Sequence, residues 1–480
     1  MAPDAVHEVE VPVLPLSRLH PLIGDRRFAE LELAAAATRD ALAGITVWNV
    51  NSTATGGGVA EMLQVLVGYI LDAGVRARWL VIHGDPEFFV VTKRVHNRLH
   101  GVPGDDGALD ARAAAAYGAT EAANTGAVVA AVAPGDVVVL HDPQTAALAG
   151  PLADAGALVV WRCHVGTDVV NEWTEQAWAF LRPHLEACAG FVFSRQAYVP
   201  AWMAPERVSI IPPSIDPFSP KNAEISFLDQ ARILGCLGVT SVLAGEPPGV
   251  FVRRDGSPGV VTRAATVVGE GDRLDPVVPV VVQVSRWDHL KDMRGVMVGF
   301  AEGVVDRTDA HLLLVGPDVH GVTDDPEGRL VLEECVDTWR ALPPPARRRI
   351  RLVSLPMEDV DENAAMVNAL QRHATVVVQK SLAEGFGLTV AEAMWKAKPV
   401  LASAVGGIVD LVAPGTGVLL DDPTDLGAFA DALASILGEP DLLATLGGRA
   451  HRHVLEGFVG DTHLLHYASL VQRLVGAGSG

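Results

Sequence analysis

A chain of 480 residues with a formal net charge of −21 is a poor partner for nucleic acid or for anionic membrane surfaces, because a field of that sign repels both. Its hydrophobic content of 49% is too high for a disordered polymer, and with only 5% aromatics its cores must be filled by Val, Leu, Ile and Ala. The length predicts two to four domains at about 100–200 residues each.

The first residues, MAPDAVHEVEVPVLPLSRLHPLIG, carry acids and prolines and lack a basic start before an apolar core. No secretory signal is expected there, and the location expected is cytoplasmic. No apolar run reaches the roughly 18 residues that a transmembrane helix needs. The four cysteines, Cys163, Cys188, Cys236 and Cys335, match neither zinc-site nor CxxC spacing and read as free thiols in a reducing compartment.

Short apolar runs alternate with longer helical patterns, the order of β-α-β units and parallel sheets. In the first half, strands are predicted at 46–50, 78–82, 136–140, 158–162, 190–193 and 208–211. After the first of these comes VNSTATGGGVAEML, a polar strand end followed by Gly56, Gly57 and Gly58 and an amphipathic helix over 59–73. Glycines admit a ligand close to the backbone, and helix N-terminal amides favour anions. The same pattern is read equally well as a tight strand-to-helix turn. It lacks the GxGxxG spacing and the downstream acid of a dinucleotide site. The polar segment 87–101 carries Lys93 and Asn97. Two strand ends then present histidines: His141 beside Asp142, and His164 before Gly166, Thr167 and Asp168. A lone histidine is usually a hydrogen-bonding structural residue; two at one sheet edge suggest a site.

Residues 213–276 read differently from the sheets on either side: PPSIDPFSPKN reads as an interdomain connection, and 250–275 as an insertion with hairpin character. Strands of a second doubly wound sheet are predicted at 277–284, 311–315, 350–354, 375–378 and 399–402. After the first of them, QVSRWDHLKDMRGV places Arg286 and Lys291 at the strand's C-terminal end, where open α/β sheets bind ligands. Two cations there suit a diphosphate; Asp288 and Asp292 could equally neutralise them in a solvated loop. SLAEGFGLTVAEAMWKAK is the most specific motif: Glu384, then Gly385, Phe386 and Gly387, then Leu388 and Thr389 opening a helix that holds Glu392. Glu392 is expected in the first helical turn, facing a ribose diol, although Thr389 and Glu392 also fit a capping box that needs no ligand. A last helical pattern near 460–480 could return to the first domain. The expected division is 1–215 for one Rossmann-like domain and 216–460 for the other.

Together these motifs resemble the retaining glycosyltransferases of the GT-B fold in the sucrose-synthase-like family. Two glutamates with seven residues between them match Glu384 and Glu392, and the cations after the lobe's first strand match Arg286 and Lys291. The pocket histidine matches His164, and the glycine loop matches Gly57 and Gly58. A narrower resemblance, to the trehalose glycosyltransferring synthases, covers nearly the whole chain through WNVNSTATGGGVAEML, GDPEFFVVTKRVHNRLHG, HDPQTAAL, PPSIDPFSPKN and QVSRWDHLKD.

The resemblance implies two Rossmann-like lobes facing a central cleft and reversible transfer of glucose from a nucleoside diphosphate glucose to free glucose, giving trehalose with retained configuration. It implies catalytic roles for His164, Arg286, Lys291 and Glu384. Donor contacts would come from Gly57, Gly58, Arg286, Lys291, Glu384, Gly385, Phe386, Gly387, Leu388, Thr389 and Glu392. Acceptor contacts would come from Asn51, Lys93, Asn97, Asp142 and His164. No metal and no cofactor is expected, the nucleotide sugar being a substrate. The base, the preferred direction and any homo-oligomer stay open. A trehalose phosphorylase on the same scaffold, and a non-catalytic sugar or nucleotide sensor, are the rival readings; a nicotinamide-dependent dehydrogenase fails on the missing GxGxxG.

Overall fold

The computed structural model describes residues 6–54, 58–105, 107–241, 247–319 and 326–478. They form two compact units, one of Met1–Ile215 with Phe458–Gly480 and one of Asp216–Gly457. No helix among the described residues is long and apolar enough to cross a membrane.

The first unit is built on seven strands: β1 (Val6–Glu8), β2 (Thr46–Asn51), β3 (Arg76–Ile82), β4 (Val137–His141), β5 (Leu158–Cys163), β6 (Gly190–Phe193) and β7 (Val208–Ile210). Their order is β1-β3-β2-β4-β5-β6-β7, parallel except for β1. Strands such as Val137–His141 are buried at every residue because both faces of the sheet are covered. Alternate residues serve opposite faces: Val138 and Leu140 join Trp48, Phe88, Tyr117 and Trp161 on one side. Val139, Val160 and Val192 meet Leu66, Tyr467 and Leu470 on the other. Each fully buried side chain of this kind contributes about 1.5–3 kcal/mol. The helix Gly460–Gly478 thus completes the core of the first unit, with Arg27 pairing to Asp461 at 2.6 Å.

The second unit holds a short ribbon, β8 (Val250–Val252) with β9 (Pro258–Val260), and a seven-stranded sheet. That sheet contains β10 (Thr266–Val268), β11 (Val280–Val284), β12 (His311–Pro317), β13 (Ile350–Leu355), β14 (Val376–Gln379), β15 (Val400–Ser403) and β16 (Val418–Leu420), ordered β10-β13-β12-β11-β14-β15-β16. Only β10 runs antiparallel. In each sheet the chain leaves its first parallel strand one way and later returns on the other side. The crevices so made, between β2 and β4 and between β11 and β14, are where doubly wound sheets bind ligands.

The segment 250–275 is a hairpin followed by an edge strand. Three of its arginines hold it to the start of the helix Val360–His373: Arg253 to Asp359 at 2.7 Å, Arg254 to Asp361 at 3.1 Å, and Arg263 to Glu362. The strand predicted from 277 begins only at Val280, because Pro276 and Pro279 have no N–H for a ladder and Val277 is exposed. The edge strands β1, β10 and β16 have three residues each, too few to show a period.

Candidate functional site

In the second unit, β11 ends in Gln283 and Val284 and runs into a loop that carries Arg286 and a single 3-10 turn, His289–Lys291. Lys291 Nζ lies 2.8 Å from Glu384 Oε2, with both side chains mostly buried. The loops after the two strands that flank the crevice therefore meet at an ion pair. Main-chain and side-chain bonds fix the approach. Leu382 N donates to the Leu290 carbonyl at 2.7 Å, and Gln283 Nε2 donates to the Lys291 carbonyl at 2.7 Å. Lys380, fully buried, donates to Asp292 and to the Pro423 carbonyl. Asp292 sits in the left-handed region at φ 46° and caps the helix Met293–Gly303 through Gly295 N at 3.0 Å. Arg286 is largely exposed and reaches Asp288 at 3.4 Å. Asp288 thus engages Arg286, as the solvated-loop reading expects, while Asp292 engages Lys380 and leaves Lys291 to Glu384.

The glycine turn is shaped by close contacts. Gly387 has φ 92°, and a Cβ there would lie 2.8 Å from Ile408 Cγ1. Gly407 N bonds the Gly385 carbonyl at 3.2 Å. Phe386 is buried. Gly387 is the N-cap of the helix Leu388–Trp395, and it makes no side-chain cap. The capping-box reading fails on this geometry. Thr389 donates instead to Gln379 Oε1 at 3.1 Å, and Gln379 donates to Ser381 Oγ at 2.9 Å. Ser381 in turn donates to Glu384 Oε2 at 3.3 Å.

Glu392 falls in the second helical turn, a correction to the expected first turn. It is 6% exposed, with Oε1 3.6 Å from Lys221 Nζ. Lys396 donates to the Glu392 carbonyl at 3.0 Å, and burial, opposed by Glu392, pulls its ammonium down to about 7. If Glu392 receives a ribose, Glu392→Gln should weaken donor binding about tenfold or more, the scale of a charged hydrogen bond, with little change in melting temperature. A lowered melting temperature with unchanged donor affinity would assign it to packing against Lys221.

In the first unit, β4 and β5 end side by side at His141–Asp142 and Cys163–His164. Asp142 has φ 63° and ψ 179°, a conformation nearly reserved for glycine. Several bonds hold it there. Its carboxylate accepts from His164 N at 2.8 Å and from His164 Nδ1 at 3.1 Å, and its carbonyl accepts from Trp161 Nε1 at 3.0 Å. Burial alone would raise the Asp142 carboxyl, but its contacts with His164 prevail and hold it at about 2. Burial lowers His164, with Asp142 opposing and Arg162 reinforcing, so the pair is a carboxylate and a neutral imidazole at neutral pH.

Asn51 is committed inside the unit, accepting from Trp79 Nε1 at 2.7 Å and donating to the Thr53 carbonyl at 2.7 Å. Lys93 is exposed and Asn97 half-buried on the helix Pro86–Leu99, capped by Asp85. The end of that helix meets the His164 loop, with His100 Nδ1 3.1 Å from the Gly166 carbonyl and Asn171 Nδ2 donating to Gly101 at 2.8 Å. Gly58 opens the helix Gly58–Asp72; Gly57 lies outside the described residues.

Several residues at these sites escaped the sequence reading: Gln283 and Lys380 in one unit, Arg162, His463 and Tyr467 in the other. A signal existed for two of them. Arg162 inside VVWRCH, and Lys380 directly after the strand VVVQ, are buried cations in or beside apolar runs, and such charges need partners. Among the described residues no group of three or more His, Cys, Asp or Glu is arranged to hold a metal ion.

Comparison with known proteins gives these motifs a context. Residues 49–200 match the family model for the trehalose synthase N-terminal domain, and 361–453 match that for glycosyl transferases group 1. The trehalose synthase of Rubrobacter xylanophilus is 33% identical over 91% of this chain and 92% of its own length. The trehalose phosphorylase of Pleurotus sajor-caju is 25% identical over 84% of this chain but only 54% of its own length. Among solved structures, the sucrose-phosphate synthase of Thermosynechococcus elongatus superposes with a TM-score of 0.61 at 18% identity, covering 90% of this chain and 100% of that one. With two doubly wound units of the GT-B glycosyltransferase type and a relative of this identity matched over about nine-tenths of both chains, the chain belongs to the trehalose synthase family.

Proposed function

We propose that the chain transfers glucose, with retention, between a nucleoside diphosphate and free glucose, making and breaking trehalose. The observation that carries this reading is the Lys291–Glu384 pair at 2.8 Å beside the glycine turn, at the crevice of the second sheet. A cation and an acceptor carboxylate so placed suit a diphosphate and the hydroxyls of its sugar. Lys291 and Arg286 stabilise the charge that develops on the leaving diphosphate. A bound diphosphate competes with Glu384 for Lys291 and frees the carboxylate to take sugar hydroxyls. Gly385, Phe386, Gly387, Leu388 and Thr389 offer backbone amides at a helix start, and Glu392 takes the ribose. No carboxylate acts as a nucleophile; the departing phosphate takes the acceptor proton at the same face. The His164 main-chain carbonyl steadies positive charge at the anomeric carbon. On this reading no metal or cofactor enters.

The acceptor glucose is assigned to the first unit, near Asp142, His164 and the end of the helix Pro86–Leu99. Lys93→Ala or Asn97→Ala should raise KM for glucose more than KM for the nucleotide sugar; equal effects would point to a folding defect. The reaction itself is tested by incubating the protein with glucose and a panel of nucleoside diphosphate glucoses. Trehalose formation from at least one of them is expected. Formation from none of them would sink the reading. The match to a trehalose phosphorylase keeps phosphorolysis as the second reading.

A further inference from the structure

Arg162, on β5, is fully buried, yet none of its three partners is a carboxylate. Its Nε donates to His164 Nε2 at 2.6 Å, one terminal nitrogen donates to the Tyr467 hydroxyl, and Nη2 donates to the Ile211 carbonyl at 3.3 Å. A guanidinium only donates, so His164 Nε2 must present a lone pair. The ring proton is then on Nδ1, which donates to Asp142. Carboxylate, imidazole and guanidinium stand in a row, and the buried cation meets its counter-charge through the ring.

We propose that Arg162 is a positioning residue that, tethered by Tyr467 of the last helix, locks His164 as the neutral Nδ1–H tautomer and so sets the loop used in transfer. The use of that loop rests on the functional reading above; the lock rests on the hydrogen bonds alone. Protonating His164 would break the bond to Arg162 and set two cations side by side. It would also place a positive ring beside an anomeric centre that becomes positive in the transition state.

The groups around the ring agree with this. His141, on β4, stacks on it at 5.4 Å and bonds Asn49 at 3.0 Å. His463, on the helix Gly460–Gly478, lies 5.1 Å from the Tyr467 ring and bonds Ser214 at 2.9 Å. Burial pushes both histidines well below their ordinary value, so neither is charged at neutral pH. Among the charged neighbours Asp142 favours protonation of His164 and Arg162 opposes it.

Removing Arg162 therefore raises the His164 pKa, and activity that needs the neutral ring is lost at a higher pH as pH falls. Arg162→Met should lower kcat about 10-fold to 10²-fold, leave donor KM nearly unchanged, and move the acid limb of the pH profile upward by about one unit. Arg162→Lys, which keeps a charge and a donor, should recover part of this. Tyr467→Phe should show the same changes at smaller size and guards against a folding failure.

The direct readout is 15N spectroscopy of histidine-labelled protein, with His164 assigned from His164→Gln. The wild type should show the Nδ1–H pattern at neutral pH, and His164 in Arg162→Met should titrate at a higher pH than in the wild type. An Nε2–H pattern in the wild type, or an unchanged titration in Arg162→Met, would overturn the lock. The spectroscopic result stands even if no trehalose is formed. Trehalose formation with unchanged kcat and pH profile in the Arg162 and Tyr467 variants overturns the positioning role alone.

Discussion

Lys291→Ala should lower turnover at saturating donor by about 10²-fold or more, the usual loss when one preorganised charge is removed from a developing anion. The protein carries a net charge of −21, so the diphosphate is held by a few local cations or not at all. Lys291 is the one tied to the crevice: its ammonium is mostly buried and within 2.8 Å of Glu384, whereas Arg286 is largely exposed. Arg286→Ala should therefore cost less than Lys291→Ala. The variant leaves Glu384 without that cation, so the assay needs a control for sugar-loop displacement. Lys291→Arg keeps the charge but not the point geometry, and should fall between the two. Near-normal turnover of Lys291→Ala with saturating donor would remove it from the role.

The largest expected effect on stability belongs to Lys380. Its side chain has no exposure, and it joins Asp292 on the far loop to the Pro423 carbonyl. Removing one partner of a buried pair leaves the other uncompensated, at about 3–5 kcal/mol. Asp292 retains some solvent contact, which points to the lower end of that range. For a unit of this size, Lys380→Met should lower the melting temperature by about 6–12 °C. Asp292 also caps the helix Met293–Gly303, so Lys380→Met with Asp292→Asn should recover part of the loss while keeping the cap oxygen. A shift of under about 2 °C in the single variant would mean that the pair is screened and does not hold the two loops together.

The physical reason that so much of the fold was legible lies in the parallel sheets. Strands buried on both faces must be continuous apolar runs, and VVVLH, VVVQV and VVVQ stand out between polar turns. Edge strands such as Val6–Glu8 exist only because a neighbour supplies hydrogen bonds, which leaves no period to read. The site was legible in its loops and not in its supports. Glycines and charges after strand ends announce a ligand edge, and the Lys291 and Glu384 loops meet there. The partners that hold them are long-range: Lys380 with Asp292, Arg162 with Tyr467, Glu392 with Lys221. Nothing in local spacing announces contacts between residues 88 to 305 positions apart. Glu392 shows the opposite failure: Thr389 and Glu392 fit a local capping pattern, yet the glycine turn takes the N-cap and the pattern is never used.

The reverse reaction decides whether the donor is a nucleotide sugar. The cations Arg286 and Lys291 would serve a diphosphate or inorganic phosphate alike; on the proposed reading only a nucleoside would need Glu392 and a base pocket, which the loop beginning at Leu355–Pro356 would shape. Trehalose should be offered with a nucleoside diphosphate in one vessel and with inorganic phosphate in another, and the sugar products separated and identified. Nucleotide-glucose and glucose are expected from the first, and little glucose 1-phosphate from the second. Efficient phosphorolysis with no nucleotide requirement would contradict a nucleotide-sugar donor.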